Sequence, residues 1–327
     1  MKAWAASGFD ADDPVSQLDL IHVDDRAPIE GWVRVKTRMA SLNHHDLWSL
    51  RGVGLREEQL PMVLGTDVAG VTDDGDEVIV HAVIPSPDWA GEETLDPKRT
   101  LLSEKYPGTL AEYVYVPKRN LVPKPEGMSW ATAASLPTAW LTAYKMLFSS
   151  AGVQPGDTVL VQGAGGGVAT AAVQLAAATG IRAFVTSRSA ERGQRAVDLG
   201  AADAFETGER LPVKVDAVLD TVGEATWSHS LKSLRPGGTL VLTGTTSGAN
   251  PPKGELQRLF FQQLRVIGST MGSVAQLHQV TDLVMNQHLE PTIDQIFAFD
   301  DAKDAFTRLE SGQAFGKVLV GSAEGHG

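Results

Sequence analysis

Between Thr158–Gln162, which reads as a strand, and Val168–Thr179, which reads as a helix, the chain runs Gly163-Ala164-Gly165-Gly166-Gly167-Val168-Ala169. Small residues there let backbone approach a pyrophosphate, and the helix N-terminus favours its charge. The strict G-x-G-x-x-G spacing is met only as Ala164-x-Gly166-x-x-Ala169, and alanine is tolerated where the third glycine serves only packing. The alternative is a glycine-rich turn that holds no ligand. Context favours the dinucleotide, because a βαβ unit of about 30 residues surrounds the loop and a second strand ends about 20 residues later. That strand ends Thr186-Ser187-Arg188-Ser189, with no acid for the ribose hydroxyls of NAD. A hydroxyl followed by a guanidinium suits a 2′-phosphate, so NADP(H) is expected over NAD. The other reading of Arg188 is a solvated surface charge.

Several other chemistries leave no trace. The chain has no cysteine, which excludes disulfides, thiolate zinc sites, Fe–S clusters and a cysteine nucleophile. No tyrosine is followed four residues later by lysine, and there is no G-x-S-x-G elbow and no Walker loop. The charge balance, 28 Lys and Arg against 40 Asp and Glu, gives a net charge of −12 and argues against nucleic-acid or anionic-membrane partners. Thr158–Ile181 carries no charge and has the length of a membrane span, but its Gln, Thr and glycine cluster fit a strand, a turn and a buried helix better. Met1 is followed by no apolar run of signal-peptide length, so a cytoplasmic protein is expected.

The elements that must position these residues fall into two groups. At 327 residues the chain has room for about two domains. The N-terminal part is rich in β signals: Trp32–Lys36 alternates at period two, and Glu77–Val80 and Ala111–Val116 read as strands. Pro85–Gly108 is polar and broken by proline, a long loop or lobe. A helical region interrupted by Pro137 spans Trp130–Ser149. Beyond it strands at Ala183–Thr186, Val215–Val222, Thr239–Thr243 and Arg265–Ser269 alternate with helices near Ala190–Leu199, Ala225–Leu234, Leu256–Gln263 and Val274–Asn286. Such alternation means βαβ units and a doubly wound parallel sheet. The tail, with Ile293–Phe299 and Lys317–Val320, returns to β character and is expected to rejoin the N-terminal domain.

At these residues the chain resembles the medium-chain dehydrogenase/reductase superfamily, specifically its zinc-free, quinone reductase-like members. The resemblance rests on Asn43-His44-His45-Asp46-Leu47-Trp48, Leu64-Gly65-Thr66-Asp67-Val68-Ala69-Gly70, Gly108-Thr109-Leu110-Ala111-Glu112-Tyr113, Asp220-Thr221-Val222-Gly223 and Gly268-Ser269-Thr270-Met271-Gly272, in that order. It implies an α/β fold: a GroES-like β domain (1–128, with the return 273–327), a Rossmann domain (129–272), and an active site in the cleft between them. Motif matching puts Asn43, Thr66 and Thr138 where zinc-dependent relatives carry metal ligands, and none is a good one. Adjacent His44 and His45 point in different directions, so with Asp46 they make no substitute metal site. Without a metal, reduction of a conjugated system is the easier reaction. The resemblance implies Asn43 as donor to the developing oxyanion, His45 as proton relay and Asp46 as orienter of the loop. His45 can also be read as a surface or capping histidine. Many quinone reductases carry tyrosine where this chain has Trp48, so phenolic proton donation from there is lost.

By the same resemblance Thr142 should touch the nicotinamide, Thr221 and Val222 the adenosine, and Ser269 and Met271 flank the nicotinamide. Thr243, Gly244 and Thr245 lie at a strand's carboxyl end, where dinucleotides bind, and Lys317 is a candidate phosphate contact. A small conjugated acceptor (quinone, enone or enoyl thioester) and a homodimer through Arg265–Ser269 are expected. The rival reading, from a different class, is an NADPH-binding sensor or structural protein without turnover.

Overall fold

The computed structural model describes residues 1–24 and 31–321. The chain divides into two compact units, Met1–Ala139 with the segment from Ser273 onward, and Trp140–Gly272. The first begins with β1 (Lys2–Ala6), β2 (Leu18–His22), β3 (Trp32–Ser41), α1 (His44–Leu50), β4 (Met62–Val63), β5 (Asp67–Thr72) and β6 (Glu77–Val80). It continues through β7 (Val83–Ile84), β8 (Thr100–Leu101), β9 (Tyr113–Pro117), β10 (Leu121–Pro123) and α2 (Trp130–Ser135). The second holds α3 (Leu141–Tyr144), β11 (Thr158–Val161), α4 (Gly167–Ala178), β12 (Arg182–Ser187), α5 (Ala190–Asp198), β13 (Asp203–Glu206), β14 (Val215–Asp220), α6 (Trp227–Ser233), β15 (Leu234–Leu242), α7 (Leu256–Phe261) and β16 (Arg265–Gly268). The chain then returns to the first unit with α8 (Val274–Asn286), β17 (Ile293–Ala298), α9 (Ala302–Glu310) and β18 (Lys317–Gly321).

In the first unit β3 is the hub of a seven-stranded sheet. Val35, Thr37 and Met39 are buried at period two, as a strand with one face on a core requires. Its first half pairs with β9, most of its length with β5, and its end with β18. That register places Ser41 opposite both Asp67 and Leu319, so the ends of three strands meet. Beneath them Leu42, Leu47, Leu64, Phe306 and Val318 share one apolar cluster. The Pro85–Gly108 lobe hangs from the short β7–β8 ladder. It is tied by the Asp96 carboxylate, which accepts from the Ser86 N–H and hydroxyl and from the Lys98 N–H.

In the second unit six strands form one all-parallel sheet in the order β13-β12-β11-β14-β15-β16. Leu160, Phe184, Val218 and Leu240 are fully buried, the apolar interior expected where both faces are covered. The Arg235–Gly238 turn bulges from β15, whose pairing to β14 resumes at Thr239. Thr158–Ile181 resolves as β11, the glycine turn and α4. No helix among the described residues is long and apolar enough to cross a membrane. Around Pro137, which has no N–H to donate, the helical run from Trp130 widens into a π-turn at Leu136–Trp140.

Candidate active site

The dinucleotide-type residues, Thr142 and Lys317 apart, gather at the carboxyl ends of the parallel strands. β11 delivers Gly163–Gly167, β12 delivers Ser187 and Arg188, and β14 delivers Thr221 and Val222. β15 delivers Thr243, Gly244 and Thr245, and Ser269 and Met271 follow β16. Strand order reverses between β11 and β14, the switch point where open α/β sheets bind ligands. The loop fits a pyrophosphate. Gly163 takes φ +91, and a Cβ built on Gly163 or Gly166 would meet nothing within 4 Å, so the space before the backbone is open. Ala164 is buried, and Gly166 caps α4, whose first turn holds Gly167 and Val168. The Thr243 hydroxyl is buried without a partner, an orphaned polar atom that a ligand would satisfy. Thr142 is buried in α3. The Asp220 carboxylate accepts from the Val222 and Gly223 N–H groups and from Thr226 and Ser230, and so fixes the turn after β14.

Two details at the end of β12 revise the sequence reading. The Ser187 hydroxyl donates to the Ser189 carbonyl (2.8 Å) and accepts from the Ser189 N–H (3.1 Å), so it shapes the turn. Arg188 is exposed and makes no hydrogen bond or ion pair among the described residues. The residue that was missed is Arg192, whose guanidinium lies against the glycine loop: a Cβ on Gly165 would sit 2.5 Å from its Nη2. Its position one helical turn after Arg188 is the signal that could have found it.

The second cluster belongs wholly to the first unit. Asn43 caps α1, and its N–H donates to Asp46 Oδ2 (2.8 Å), while Asp46 Oδ1 accepts from the Gly65 N–H (3.1 Å). Asp46 thus ties the helix start to the Gly65-Thr66-Asp67 turn. Full burial pushes its pKa up to about 6, against the lowering influence of His45 and of the Asn43 N–H. Asn43, Thr66 and Thr138, matched one by one to metal-ligand positions, come together as a chain. Asn43 Nδ2 donates to Thr66 Oγ1 (3.1 Å) and to Asp67 Oδ2 (2.9 Å). Thr66 Oγ1 lies 3.2 Å from Thr138 Oγ1, and the Thr138 hydroxyl donates to Asp67 Oδ1. Both Asn43 amide hydrogens are therefore engaged, and neither is free for an oxyanion.

Lys317 is also corrected. Its ammonium, 3% exposed, donates to the Leu42 carbonyl (2.8 Å), Asn43 Oδ1 (2.7 Å) and Asp67 Oδ2 (3.3 Å). Three buried oxygens saturate its donors, and no hydrogen is left for a phosphate. A zinc ion does not fit this donor set. It offers an amide, two hydroxyls and one carboxylate already paired with an ammonium, and no group of three or more His, Asp or Glu residues suited to a metal exists among the described residues.

Beside this centre, His45 Nε2 lies 3.2 Å from Glu104 Oε1. Burial disfavours the imidazolium, but the hydrogen bond to Glu104 and the fields of Asp46, Glu104 and Asp67 outweigh it and hold the His45 pKa above the ordinary value. His45 Nδ1 is buried and has no partner. Glu104 was not legible in the sequence. It sits 59 positions away in the lobe, placed there by Gln59, whose Nε2 donates to the Glu104 carbonyl.

Known proteins show the family. Residues 29–126 match the alcohol dehydrogenase GroES-like domain, and residues 192–320 match the zinc-binding dehydrogenase domain. The 2-methylene-furan-3-one reductase of Solanum lycopersicum is 32% identical, over 98% of this chain and 79% of its own. The chain belongs to the medium-chain dehydrogenase/reductase superfamily. This medium-chain dehydrogenase/reductase is also 27% identical to the acryloyl-coenzyme A reductase of Sulfurisphaera tokodaii, over 98% of this chain and 99% of the relative. A solved NAD-dependent alcohol dehydrogenase superposes with a TM-score of 0.89 at 31% identity, covering 98% of this chain and 99% of that one. The GroES-like and Rossmann architecture expected from the sequence is thereby shown, as is an oxidoreductase ancestry.

Proposed function

We propose that this protein is an NADPH-dependent, zinc-independent reductase of conjugated carbonyl acceptors, the class that includes enones, enoyl thioesters and quinones. The observation that carries the reading is the Lys317 ammonium lying among Asn43, Asp67 and the Leu42 carbonyl, in the cluster where metal ligands would stand. With no Lewis acid to stabilise an alkoxide, alcohol oxidation is disfavoured, whereas charge from hydride addition to a conjugated system spreads onto the acceptor's oxygen. The nicotinamide supplies the hydride when bound. The glycine loop and the α4 N-terminus hold its pyrophosphate, Arg188 and Arg192 receive the 2′-phosphate, and Thr243 donates its orphaned hydroxyl. His45, whose pKa Glu104 raises, gives the proton that completes the reduction and then regains one from solvent. Asn43, Asp46 and Lys317 are positioning residues that hold α1 and its His45 in place. The names of the tomato and archaeal relatives, an enone-type reductase and an acyl-thioester reductase, support the acceptor class. We also propose a homodimer and a cytoplasmic location.

The deciding experiment is NADPH oxidation against a panel of quinones, enones and enoyl thioesters, with and without chelator, beside elemental analysis of the purified protein. Acceptor-dependent oxidation that survives chelation, with no stoichiometric zinc, is expected. About one zinc per chain with activity lost on chelation overturns the metal-free part. NADPH binding without turnover of any acceptor moves the protein to the sensor reading.

A further inference from the structure

A cavity of about 320 Å³ opens in the second unit, lined by the Gly208–Lys214 loop, the end of α6 and Arg258 of α7. Its size is at the lower end of the range for small-molecule sites. Four of its lining side chains are cations, Arg210, Lys214, Lys232 and Arg258, in a chain whose net charge is −12. Of the nearby carboxylates only Glu255 answers them, through Arg258 and the field of Lys232. Glu255 pairs with Arg258 (3.1 Å), Asp216 with Arg235 outside the cavity (2.6 Å), and the Glu209 carboxylate accepts from the Glu206 N–H (2.9 Å). Arg210 makes no hydrogen bond or ion pair among the described residues.

The cavity walls are also built. Lys214 Nζ is anchored on the Lys232 carbonyl. The His229 ring is held at both nitrogens, Nε2 lying 2.7 Å from the Glu209 carbonyl oxygen and Nδ1 2.9 Å from Gln162 Nε2. Partial burial and the fields of Arg258 and Arg210 hold the Lys214 pKa below the ordinary lysine value. Lys214 stands at the amino end of β14, about 15–20 Å along the strand from the carboxyl end where dinucleotides bind, while another lining residue, His229, reaches Gln162 just before the glycine loop.

We propose that this cavity binds a small, multiply charged phosphate compound at a site separate from the dinucleotide crevice. Converging guanidinium and ammonium groups recognise phosphate oxygens through charge-assisted hydrogen bonds, and more than one negative charge is needed to answer the cations that Glu255 leaves over.

The test is calorimetric titration of inorganic pyrophosphate into the full-length protein at low ionic strength, with and without saturating NADPH. Saturable one-site binding is expected, unaffected by NADPH and weakened at least about tenfold in an R210Q/K232Q variant. Both side chains are exposed, and NADPH affinity of the variant should match the wild type. R210Q alone should weaken binding by a smaller factor. A parallel titration with fructose 1,6-bisphosphate distinguishes a phosphate ester from the free inorganic ion as the preferred ligand. Absence of saturable binding, displacement of pyrophosphate by NADPH, or undiminished binding in the double variant overturns the proposal. The test stands whichever acceptor the enzyme reduces.

Discussion

His45 and Glu104 form the one imidazole–carboxylate pair beside the polar centre, at 3.2 Å, and the charge on Glu104 is what the pairing adds to a bare hydrogen bond. A proton donor must be protonated before it acts, so a raised His45 pKa extends turnover toward higher pH. Glu104→Gln keeps an acceptor near Nε2 and removes the charge. The alkaline limb of kcat should then move to lower pH. Below about pH 6 the rate should stay within about twofold of the wild type, and at pH 8–9 it should fall by up to about tenfold. A merely structural role would lower kcat equally at every pH, and an unshifted limb would remove Glu104 from the mechanism. The sign for stability follows from the same shift. The folded protein favours the imidazolium, so this contribution is whole below the ordinary imidazole value and is lost as pH rises through the value in the folded state.

At the scale of elements, the proposed preference for NADPH is tested where β12 hands over to α5. Ser189 caps α5 by accepting from the Arg192 N–H, which fixes the first helical turn at the strand's end. Arg192 lies against the glycine loop and Arg188 stands exposed, with no carboxylate at the end of β12 to bind ribose hydroxyls. Arg188→Ala should weaken NADPH binding by about ten- to a hundredfold and leave NADH nearly unchanged, as loss of a charge-assisted contact requires. Equal loss for both nucleotides, or a native preference for NADH, would show that the strand end reads ribose and not phosphate. Many elements were legible because buried strands and capped helices write their periods locally: the antiparallel strand Glu77–Val80 and the capped helix Val274–Asn286, both of the first unit, have the bounds read from the sequence. The glycine loop was legible for the same reason, since strand, turn and helix are contiguous. The short helix α1 and the edge strand β13 were missed, being too brief or too polar to show a period, whereas α9 was missed although Ala302, Ala305, Phe306 and Leu309 repeat at helical spacing. Arg192 and Glu104 were missed because their partners are supplied by the fold. So was the engagement of Asn43 and Lys317, residues 274 positions apart that only the β3–β18 pairing brings together.

For the whole molecule, the second unit's sheet ends at β16, which pairs with β15 on one side only. Such an edge presents unpaired backbone groups and is ordinarily blunted by charge, proline or cover. Here the edge strand carries Val266 at 40% exposure, and the preceding helix α7 shows Leu256, Phe260 and Phe261 at 73, 66 and 67%. The two phenyl rings lie 4.9 Å apart, a contiguous apolar patch beside an open edge. Apolar surface of that kind next to unpaired strand hydrogen bonds fits a second copy of the same strand, because a two-fold axis makes one patch its own complement. We therefore expect a dimer in light scattering at micromolar concentration. Phe260→Asp together with Phe261→Asp should shift the population to monomer, since opposing carboxylates would face each other across the axis. The substituted side chains are exposed, so the monomer should keep its thermal transition and its NADPH affinity. A wild-type protein that is monomeric at every accessible concentration, or a variant that stays dimeric, would move the interface away from β16.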